Sequence, residues 1–320
     1  DLHSFPTRRS SDLHSRLPEK ERQGKIGETG ESLEKRKGLR MYKILRKKSL
    51  NPTVTLMEVE APFVARKAKA GQFIIFRVDA FGERVPLTIA DANPETGSVT
   101  IIFQIVGVAT QKLNMLNEGE FIQDFVGPLG TPSKVEGFKK VAVVGGGVGS
   151  AIAYPVAKAF HNAGAIVHTI AGFRSQDLVI LEDEFRAVSE KMILMTDDGS
   201  YGEKGLVTDA LRSLIDGGEN YEEVVAIGPL IMMKFVAKLT KEYGIHTVVS
   251  MNPIMVDGTG MCGCCRLTVG GKTLFACVDG PEFDAHQVDF DEAISRSSIY
   301  KGFERHAYEE SCNLFKQEVK

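Results

Sequence analysis

The sequence lacks a long hydrophobic run, a hydrophobic segment near its N-terminus and an excess of positive charge. Its longest nearly apolar stretch, residues 141–157, holds four glycines and a proline and is too short to span a bilayer comfortably. Without an N-terminal hydrophobic region, secretion is not expected, and we predict a cytoplasmic protein with no membrane partner. The formal net charge of −3 argues against a nucleic-acid partner, because such proteins usually carry a basic face.

Cysteine is also scarce, and its distribution is uneven. The chain has five cysteines, and four of them lie between Cys262 and Cys277 in a loop rich in glycine. An odd and clustered set of this kind is more typical of metal or cluster chemistry in a reducing compartment than of a disulfide framework.

Residues 1–40 differ from the rest of the chain. They are polar and show no apolar periodicity, and segments of this kind cannot bury a core. We expect a disordered or artefactual extension here, with the native protein beginning at Met41.

Residues 41–137 predict a β-barrel. Short β-rich runs at 54–59, 73–78 and 98–104 are separated by proline and glycine, with no helical pattern between them. Regular short strands of this kind predict an antiparallel barrel.

Residues 138–250 predict an α/β domain, because strand-like and helical patterns alternate. The predicted strands are 141–144, 166–171, 192–195, 224–227 and 247–249, and the predicted helices are 150–162, 178–189, 206–215 and 230–243. The alternation indicates a parallel sheet with helices on both faces. Residues 251–280 follow as a cysteine-rich module with a hairpin around Gly270 and Gly271, and residues 281–320 as a charged, partly helical C-terminal tail.

A glycine-rich turn is predicted to bind a dinucleotide. An apolar strand runs into Gly145, Gly146, Gly147, Gly149 and Ser150, and a helical pattern follows. Glycines allow close approach of a pyrophosphate, which the free N–H groups of the helix N-terminus can bind. The alternative is a tight turn in some other α/β domain.

Three further strand ends lie at the edge where nucleotides bind in open α/β sheets. They carry Arg174, the pair Asp197 and Asp198, and the pair Gly228 and Pro229. Arg174 is a candidate contact for the adenosine ribose or a phosphate, although a solvated arginine explains it equally well. No basic pair follows the second strand, which favours NAD over NADP.

Two barrel segments are candidates for holding a flavin. Arg84 can donate two hydrogen bonds to a phosphate, and the backbone and the Thr88 hydroxyl can reach the isoalloxazine ring. Gly107 and Thr110 form a second candidate anion site at a helix N-terminus. The alternatives are a surface arginine beside an edge-strand proline and an ordinary helix start with Thr110 as N-cap. The candidate residues are Arg84, Pro86, Leu87, Thr88, Ile89, Gly107 and Thr110.

The cysteine spacing predicts an iron–sulfur cluster. Asp257, Cys262, Cys265 and Cys277 are spaced D-x4-C-x2-C-x11-C, which matches the plant-type [2Fe–2S] pattern with Asp257 in the first ligand position. Cys264 is out of register. If Asp257 is only a turn residue, Cys264 or water completes the ligand set. A zinc site is the alternative for the whole loop, but zinc usually takes paired C-x2-C units and only one is present.

With these motifs in place, the chain resembles the ferredoxin–NADP reductase-like superfamily. The most specific segments are 83–89, 145–150, 252–262 and 275–284, and the resemblance covers about residues 41–292. Within the superfamily, the chain is similar to the electron-transfer subunits of dihydroorotate dehydrogenase. It is most similar to the small (alpha) subunits of NADH-dependent reduced ferredoxin:NADP oxidoreductases, also called sulfide dehydrogenase beta subunits.

The resemblance implies FAD in the barrel, NAD(H) over the sheet, and a large flavin and iron–sulfur partner subunit in a heterodimer. The Asp ligand of the family corresponds to Asp257, whereas the dihydroorotate branch normally has cysteine there. Asp257 therefore favours the transhydrogenase branch, and Cys264 departs from the small residue usual at its position.

The expected function is electron transfer. Hydride would pass from NADH to FAD, and single electrons would pass to the [2Fe–2S] cluster and the large subunit, as in electron-bifurcating transhydrogenation with ferredoxin. Since the cofactors supply the chemistry, no catalytic side chain is predicted. The first alternative is the electron-transfer subunit of an NAD-dependent dihydroorotate dehydrogenase. The alternative of another class is a non-enzymatic zinc-binding or redox-sensing nucleotide-binding protein.

Overall fold

The computed structural model describes residues 41–307. The extension expected over residues 1–40 and the last part of the tail, residues 308–320, lie outside the described residues. Within residues 41–307 no helix is both long enough and apolar enough to cross a bilayer.

The first part of the chain forms a nearly closed antiparallel barrel, as predicted. Its strands are β1 (Tyr42–Asn51), β2 (Val54–Glu60), β3 (Phe73–Arg77), β4 (Val85–Asn93), β5 (Ser98–Gln104), β6 (Phe121–Ile122) and β7 (Asp124–Leu129). They are paired in the order β6-β1-β2-β5-β4-β3-β7. The two edge strands, β6 and β7, are separated by Gln123 alone, so one segment pairs with β1 on one side and β3 on the other.

Side chains alternate between the two faces of each barrel strand. Those on one face fill the barrel core, and some on the other face pack against the next domain. Met57, Val59, Val99 and Ile101 are fully buried in the barrel core. Ile102, which points to the opposite face of its strand, packs into a second core with helix residues of the α/β domain. Two helices lie in the barrel connections, namely α1 (Pro62–Ala65) and α2 (Val108–Met115).

The second part forms the predicted parallel sheet with helices. Its strands are β8 (Lys140–Gly146), β9 (Ile166–Phe173), β10 (Lys191–Thr196), β11 (Glu203–Lys204), β12 (Glu223–Ile227) and β13 (Thr247–Ser250). The helices are α3 (Gly149–Asn162), α4 (Glu182–Val188), α5 (Val207–Asp216) and α6 (Leu230–Glu242). The order β11-β10-β9-β8-β12-β13 runs outward from β8 in one direction and then in the other, so the sheet has a switch point between β8 and β12.

The prediction of a helix over residues 178–189 is wrong for the first turn. The structure has a short 3₁₀ turn at Gln176–Leu178, and α4 begins only at Glu182. Leu181 breaks the helix because its φ of 58° is left-handed, a conformation that L-residues seldom adopt. Three acidic residues open α4, and acidic side chains favour a helix N-terminus.

The C-terminal part completes the fold around the cysteine loop. Strands β14 (Arg266–Val269) and β15 (Lys272–Phe275) form the predicted hairpin. Gly270 and Gly271 both have positive φ, as a tight two-residue hairpin turn requires. Strand β16 (Glu282–Asp284) then adds antiparallel to β13, and α7 (Phe290–Ser297) follows. The sequence alone indicated no strand at β16.

Candidate functional site

The glycine-rich turn lies at the switch point of the sheet. Gly145 and Gly146 end β8, and α3 begins at Gly149. A Cβ added to Gly228, just after β12, would lie 3.1 Å from the Cα of Gly146. The structure therefore brings Gly228 and the neighbouring Pro229 next to the predicted dinucleotide turn.

Close packing explains why glycine is needed in this turn. A Cβ on Gly149 would lie 2.5 Å from the carbonyl oxygen of Ile227 and 2.6 Å from the Cα of Gly228. Both are backbone atoms and cannot rotate away. Gly147 has a φ of 55° and open space around its Cα, so its conformation rather than its packing favours glycine.

Ser150 carries a buried hydroxyl without a protein partner. The residue is fully buried in the first turn of α3, and its Oγ makes no hydrogen bond within the described part of the chain. Buried polar atoms are almost always paired. An unpaired hydroxyl in the first turn of a helix fits a site that a phosphate oxygen completes.

The residues predicted to contact the nucleotide after β9 and β10 lie further along the same edge of the α/β sheet. Arg174 follows β9, Asp197 and Asp198 follow β10, and all three are exposed. The Asp198 amide donates to the Arg174 carbonyl at 3.2 Å. Hydrogen bonds from the side chain and backbone of Ser200 lower the pKa of Asp198. These residues are not part of the glycine crevice between β8 and β12.

The candidate flavin-binding residues at 86–89 lie on barrel strand β4, and part of one edge of this strand is not covered by its neighbour β5. Residues Val85 to Thr88 of β4 pair with β3, whereas β5 pairs with β4 only from Ile89 onward. Within residues 41–307, no strand pairs with the other side of 85–88, so the backbone groups there can reach a ligand. Arg84, just before this segment, is exposed and forms no ion pair within residues 41–307. The side chain of Ile89 is buried in the barrel core.

The start of α2 differs in detail from the sequence prediction. The N-cap is Gly107, so Thr110 is the third residue of the helix and the proposed Thr110 N-cap is wrong. The Thr110 hydroxyl accepts from the amides of Val106 and Gly107 and donates to the Gly107 carbonyl. It is therefore engaged in the turn itself. Lys112 of the same helix contacts Asp79, in the loop that leads to Arg84, at 3.3 Å.

The predicted ligands of the cysteine loop influence one another's protonation. The Cys262 side chain is among the groups that lower the pKa of Asp257, and Cys265 and Asp257 are among the groups that raise the pKa of Cys277. Cys265 and Cys277 are buried, whereas Cys262 is exposed. Burial, together with Cys265, raises the pKa of the Cys277 thiol to about 12. The backbone N–H of Thr259 is the main group that lowers the pKa of Asp257.

The residue types of the loop suit an iron–sulfur cluster, because thiolates are the usual ligands of such clusters. Three of the four predicted ligands are cysteines, and the fourth, Asp257, is a carboxylate. No three His, Cys, Asp or Glu side chains within residues 41–307 are grouped so that they could hold a single metal ion.

The loop packs against the barrel, which the sequence did not reveal. A Cβ on Gly258 would lie 2.7 Å from Leu129 Cδ1 and 3.0 Å from Ile75 Cδ1. Cys265 and Cys277 belong to the same core as Phe73 and Ile75. The apolar run at 73–76 was a signal, because a strand buried on both faces reads as a continuous apolar run.

Comparisons with known proteins agree with this geometry. Residues 252–289 match the model of the iron–sulfur cluster binding domain of dihydroorotate dehydrogenase B. The chain is 52% identical to a Clostridium beijerinckii protein described as an uncharacterized protein in the adh 3′ region, covering 82% of this chain and 91% of that protein. It is 45% identical to a Thermotoga maritima homologue of the dihydroorotate dehydrogenase B (NAD⁺) electron transfer subunit, covering 85% and 96%.

One solved structure is similar to this chain over most of its length. An NADH-dependent reduced ferredoxin–NADP oxidoreductase, studied for flavin-based electron bifurcation, contains a chain 44% identical to this one with a TM-score of 0.80. The match covers 86% of this chain and 99% of that chain. The fold is thus ferredoxin reductase-like, with a C-terminal iron–sulfur binding domain. The chain belongs to the family of dihydroorotate dehydrogenase B electron-transfer subunits and their homologues, which are iron–sulfur flavoproteins of the oxidoreductase class.

Proposed function

We propose that this chain is the NADH-oxidising electron-transfer subunit of a transhydrogenase that works with ferredoxin. When bound, FAD accepts hydride from NADH, and the [2Fe–2S] cluster carries single electrons to a large partner subunit. The observation that carries the proposal is that the loop with Asp257, Cys262, Cys265 and Cys277 packs against Ile75 and Leu129 of barrel strands β3 and β7.

The barrel, residues 41–137, is assigned to FAD in this proposal. Arg84 would bind a phosphate oxygen through its unpaired guanidinium. The open edge of β4 at 85–88, which includes Pro86, Leu87 and Thr88, would bind the polar rim of the isoalloxazine ring. The backbone amides of 108–110, which follow Gly107, would bind a second phosphate oxygen, while the Thr110 hydroxyl holds the turn at Gly107 in shape.

The α/β domain, residues 138–250, is assigned to NADH. The turn from Gly145 to Ser150 would hold the pyrophosphate, with the Ser150 hydroxyl donating to it. Gly228 and Pro229 follow the neighbouring strand, β12. The space at the end of that strand would hold the nicotinamide half of NADH. Arg174, Asp197 and Asp198 would contact the adenosine half at the far end of the edge.

The module 251–280 is assigned to the [2Fe–2S] cluster, whereas the segment predicted as a tail, 281–320, contains β16, which pairs with β13 of the α/β sheet. Asp257, Cys262, Cys265 and Cys277 would hold the cluster. Cys265 and Cys277 are buried in the same core as barrel residues Phe73 and Ile75, which supports electron delivery from the flavin side. The exposed position of Cys262 supports electron transfer outward to the partner.

A second candidate function is the electron-transfer subunit of a dihydroorotate-oxidising enzyme. The relatives that carry this name and the matching iron–sulfur domain favour it. Aspartate in place of a fourth cysteine favours the transhydrogenase.

The test is anaerobic purification of the full chain with its native partner. We expect flavin absorption overlaid on [2Fe–2S] charge-transfer bands, with two irons per chain beyond those of the partner. NADP-linked activity with ferredoxin would identify the transhydrogenase, and oxidation of dihydroorotate would identify the second candidate. A colourless protein that contains zinc would overturn both.

A further inference from the structure

Helix α7 packs against the cysteine module. Its first residue, Phe290, is buried in the same core as Cys265. The backbone of Thr268 in β14 is bonded to the start of this helix on both sides of the residue. Its carbonyl accepts from the Asp289 amide at 2.9 Å, and its amide donates to the Glu292 carboxylate at 3.1 Å. The helix is thus fixed along the strand that follows the cysteine loop.

One side chain of α7 reaches from this helix to the cysteine loop itself. Arg296 lies four residues after Glu292, and residues at this spacing share one face of a helix. The partly buried Arg296 donates from its Nη2 to the Cys264 carbonyl at 3.3 Å. The two residues are 32 positions apart in the chain, so the contact exists only because α7 folds back onto the module.

This hydrogen bond fixes the backbone that leads into a predicted ligand. The Cys264–Cys265 peptide is trans. Because a peptide unit is planar, holding its carbonyl oxygen also sets the direction of the Cys265 amide. The carbonyl just before it, that of Gly263, accepts from the Arg266 side chain at 3.0 Å. Two guanidinium groups therefore hold the two successive carbonyls between Cys262 and Cys265.

The positive charge of Arg296 is not neutralised by a carboxylate. Within residues 41–307 its guanidinium forms no ion pair, and the Glu292 carboxylate, one helical turn away, accepts from the Thr268 amide. Arginine keeps its charge at all ordinary pH values. Net charge and hydrogen bonds around an iron–sulfur cluster set its reduction potential, and a positive charge favours the reduced form because that form carries one more electron.

We propose that Arg296 is a positioning residue of the cluster site, which fixes the Cys264–Cys265 peptide and raises the reduction potential of the [2Fe–2S] cluster. Reduction adds one electron from the flavin to the cluster, and Arg296 exchanges no proton in this step. The inference rests on the proposed function, because it needs the cluster in this loop. It also gives the C-terminal segment, which the sequence predicted only as a charged and partly helical tail, a part in the site.

The test compares four full-length proteins, each with its partner subunit: the unaltered chain, Arg296→Met, Arg296→Lys and Arg46→Met. Methionine keeps an unbranched apolar side chain but removes the charge and the donors. Lysine keeps the charge but not the planar fork of donors. Arg46, an exposed arginine on β1 of the barrel, controls for the loss of one positive charge. The readouts are iron and sulfide content, the electron paramagnetic resonance of the reduced [2Fe–2S] cluster, and its midpoint potential from a redox titration.

We expect Arg296→Met to make the cluster potential more negative by about 59 mV, which is a tenfold change in the equilibrium constant for one-electron reduction. Its resonance spectrum should also change, since the peptide before Cys265 is no longer held. Arg296→Lys should shift both readouts in the same direction by a smaller amount. Arg46→Met should match the unaltered chain.

An unchanged potential in Arg296→Met, or an equal shift in Arg46→Met, would overturn the proposal. If Arg296→Met does not fold or holds no cluster, Arg296→Lys decides by the same two readouts. A shift in Arg296→Lys would then support the positioning role, and a potential and spectrum identical to those of the unaltered chain would overturn it. Absence of the cluster from the unaltered chain would instead refute the proposed function.

Discussion

Ser133 donates a 2.6 Å hydrogen bond to the carboxyl group of Glu282, and this contact joins the segment after the barrel to the strand after the cysteine loop. Gly71, in the turn before β3, lies against the same pair, since an added Cβ would be 3.1 Å from Glu282 Oε1. Three parts of the chain thus meet at one enclosed carboxyl group. Burial raises its pKa to about 7, although the Ser133 hydroxyl opposes this shift.

The first prediction concerns pH. Because the folded pKa of Glu282 is about 7 and its ordinary value is 4.5, the folded state binds more protons between these values. Stability from this group is therefore present below about pH 4.5 and is lost as the pH rises to about 7. Relative to the unaltered chain, the free energy of unfolding of Glu282→Gln should increase by on the order of 1–2 kcal/mol between pH 4.5 and 8. Denaturant unfolding of both proteins at the two pH values measures this increase. A difference between the two proteins that does not change with pH would contradict the prediction.

The second prediction separates stability from nucleotide binding at Ser150. Ser150→Ala removes a buried hydroxyl that lacks a partner, so the nucleotide-free protein should be as stable or more stable, by up to ~1–3 kcal/mol. Loss of a hydrogen bond to a charged pyrophosphate should weaken ADP-ribose binding about tenfold or more. Calorimetric titration and thermal unfolding give the two values. Unchanged ADP-ribose affinity would argue against a role for this hydroxyl.

The third prediction compares two glycines of the same turn. Gly149→Ala places a methyl group against the fixed backbone of Ile227 and Gly228, so it should cost about 1–3 kcal/mol and reduce ADP-ribose binding. Gly146→Ala meets chiefly the Met232 thioether, which can rotate, and should be milder. Thermal unfolding of both variants gives the order. A larger loss in Gly146→Ala would refute the packing argument.

The fourth prediction concerns FAD. Arg84→Ala should weaken FAD binding by about 2 kcal/mol, roughly thirtyfold, because a charged hydrogen bond to phosphate is lost. Arg84→Lys should be intermediate, since lysine keeps the charge but not the two-pronged geometry. Arg46, an exposed arginine on β1 of the same barrel, provides the control variant Arg46→Ala. Flavin content after gel filtration measures the effect, and equal retention in all three variants would exclude Arg84 from the site.

The fifth prediction concerns the first cluster ligand. Asp257→Cys should keep the cluster and make its reduction potential more negative, because thiolate donates more electron density to iron than carboxylate does. Asp183→Cys adds an exposed thiol on α4 and controls for the added sulfur. Potentiometric titration gives both values. Equal potentials in Asp257→Cys and the unaltered chain would show that Asp257 does not bind iron.

Local sequence signals predicted most of the elements. The β-rich runs separated by proline and glycine predicted barrel strands β2, β3 and β5, and the glycines at 145–149 marked the strand-to-helix turn, because both patterns arise from neighbours in the chain. The prediction of one helix over 178–189 was wrong because the left-handed conformation of Leu181 has no signature in apolar spacing. Strand β16 was missed because three residues are too few to show a period.

The sequence by itself determined the class of the protein, the position of the glycine-rich turn and the spacing of the four candidate cluster ligands. Those features depend on residue type and on separation along the chain. Only the tertiary structure decided that Ser150 lacks a partner, that the cysteine loop packs on Ile75 and Leu129, and that Ser133 holds Glu282. The last two contacts join residues that are distant in the chain, and the burial of Ser150 depends on distant residues around it. These features therefore arise only when the chain folds.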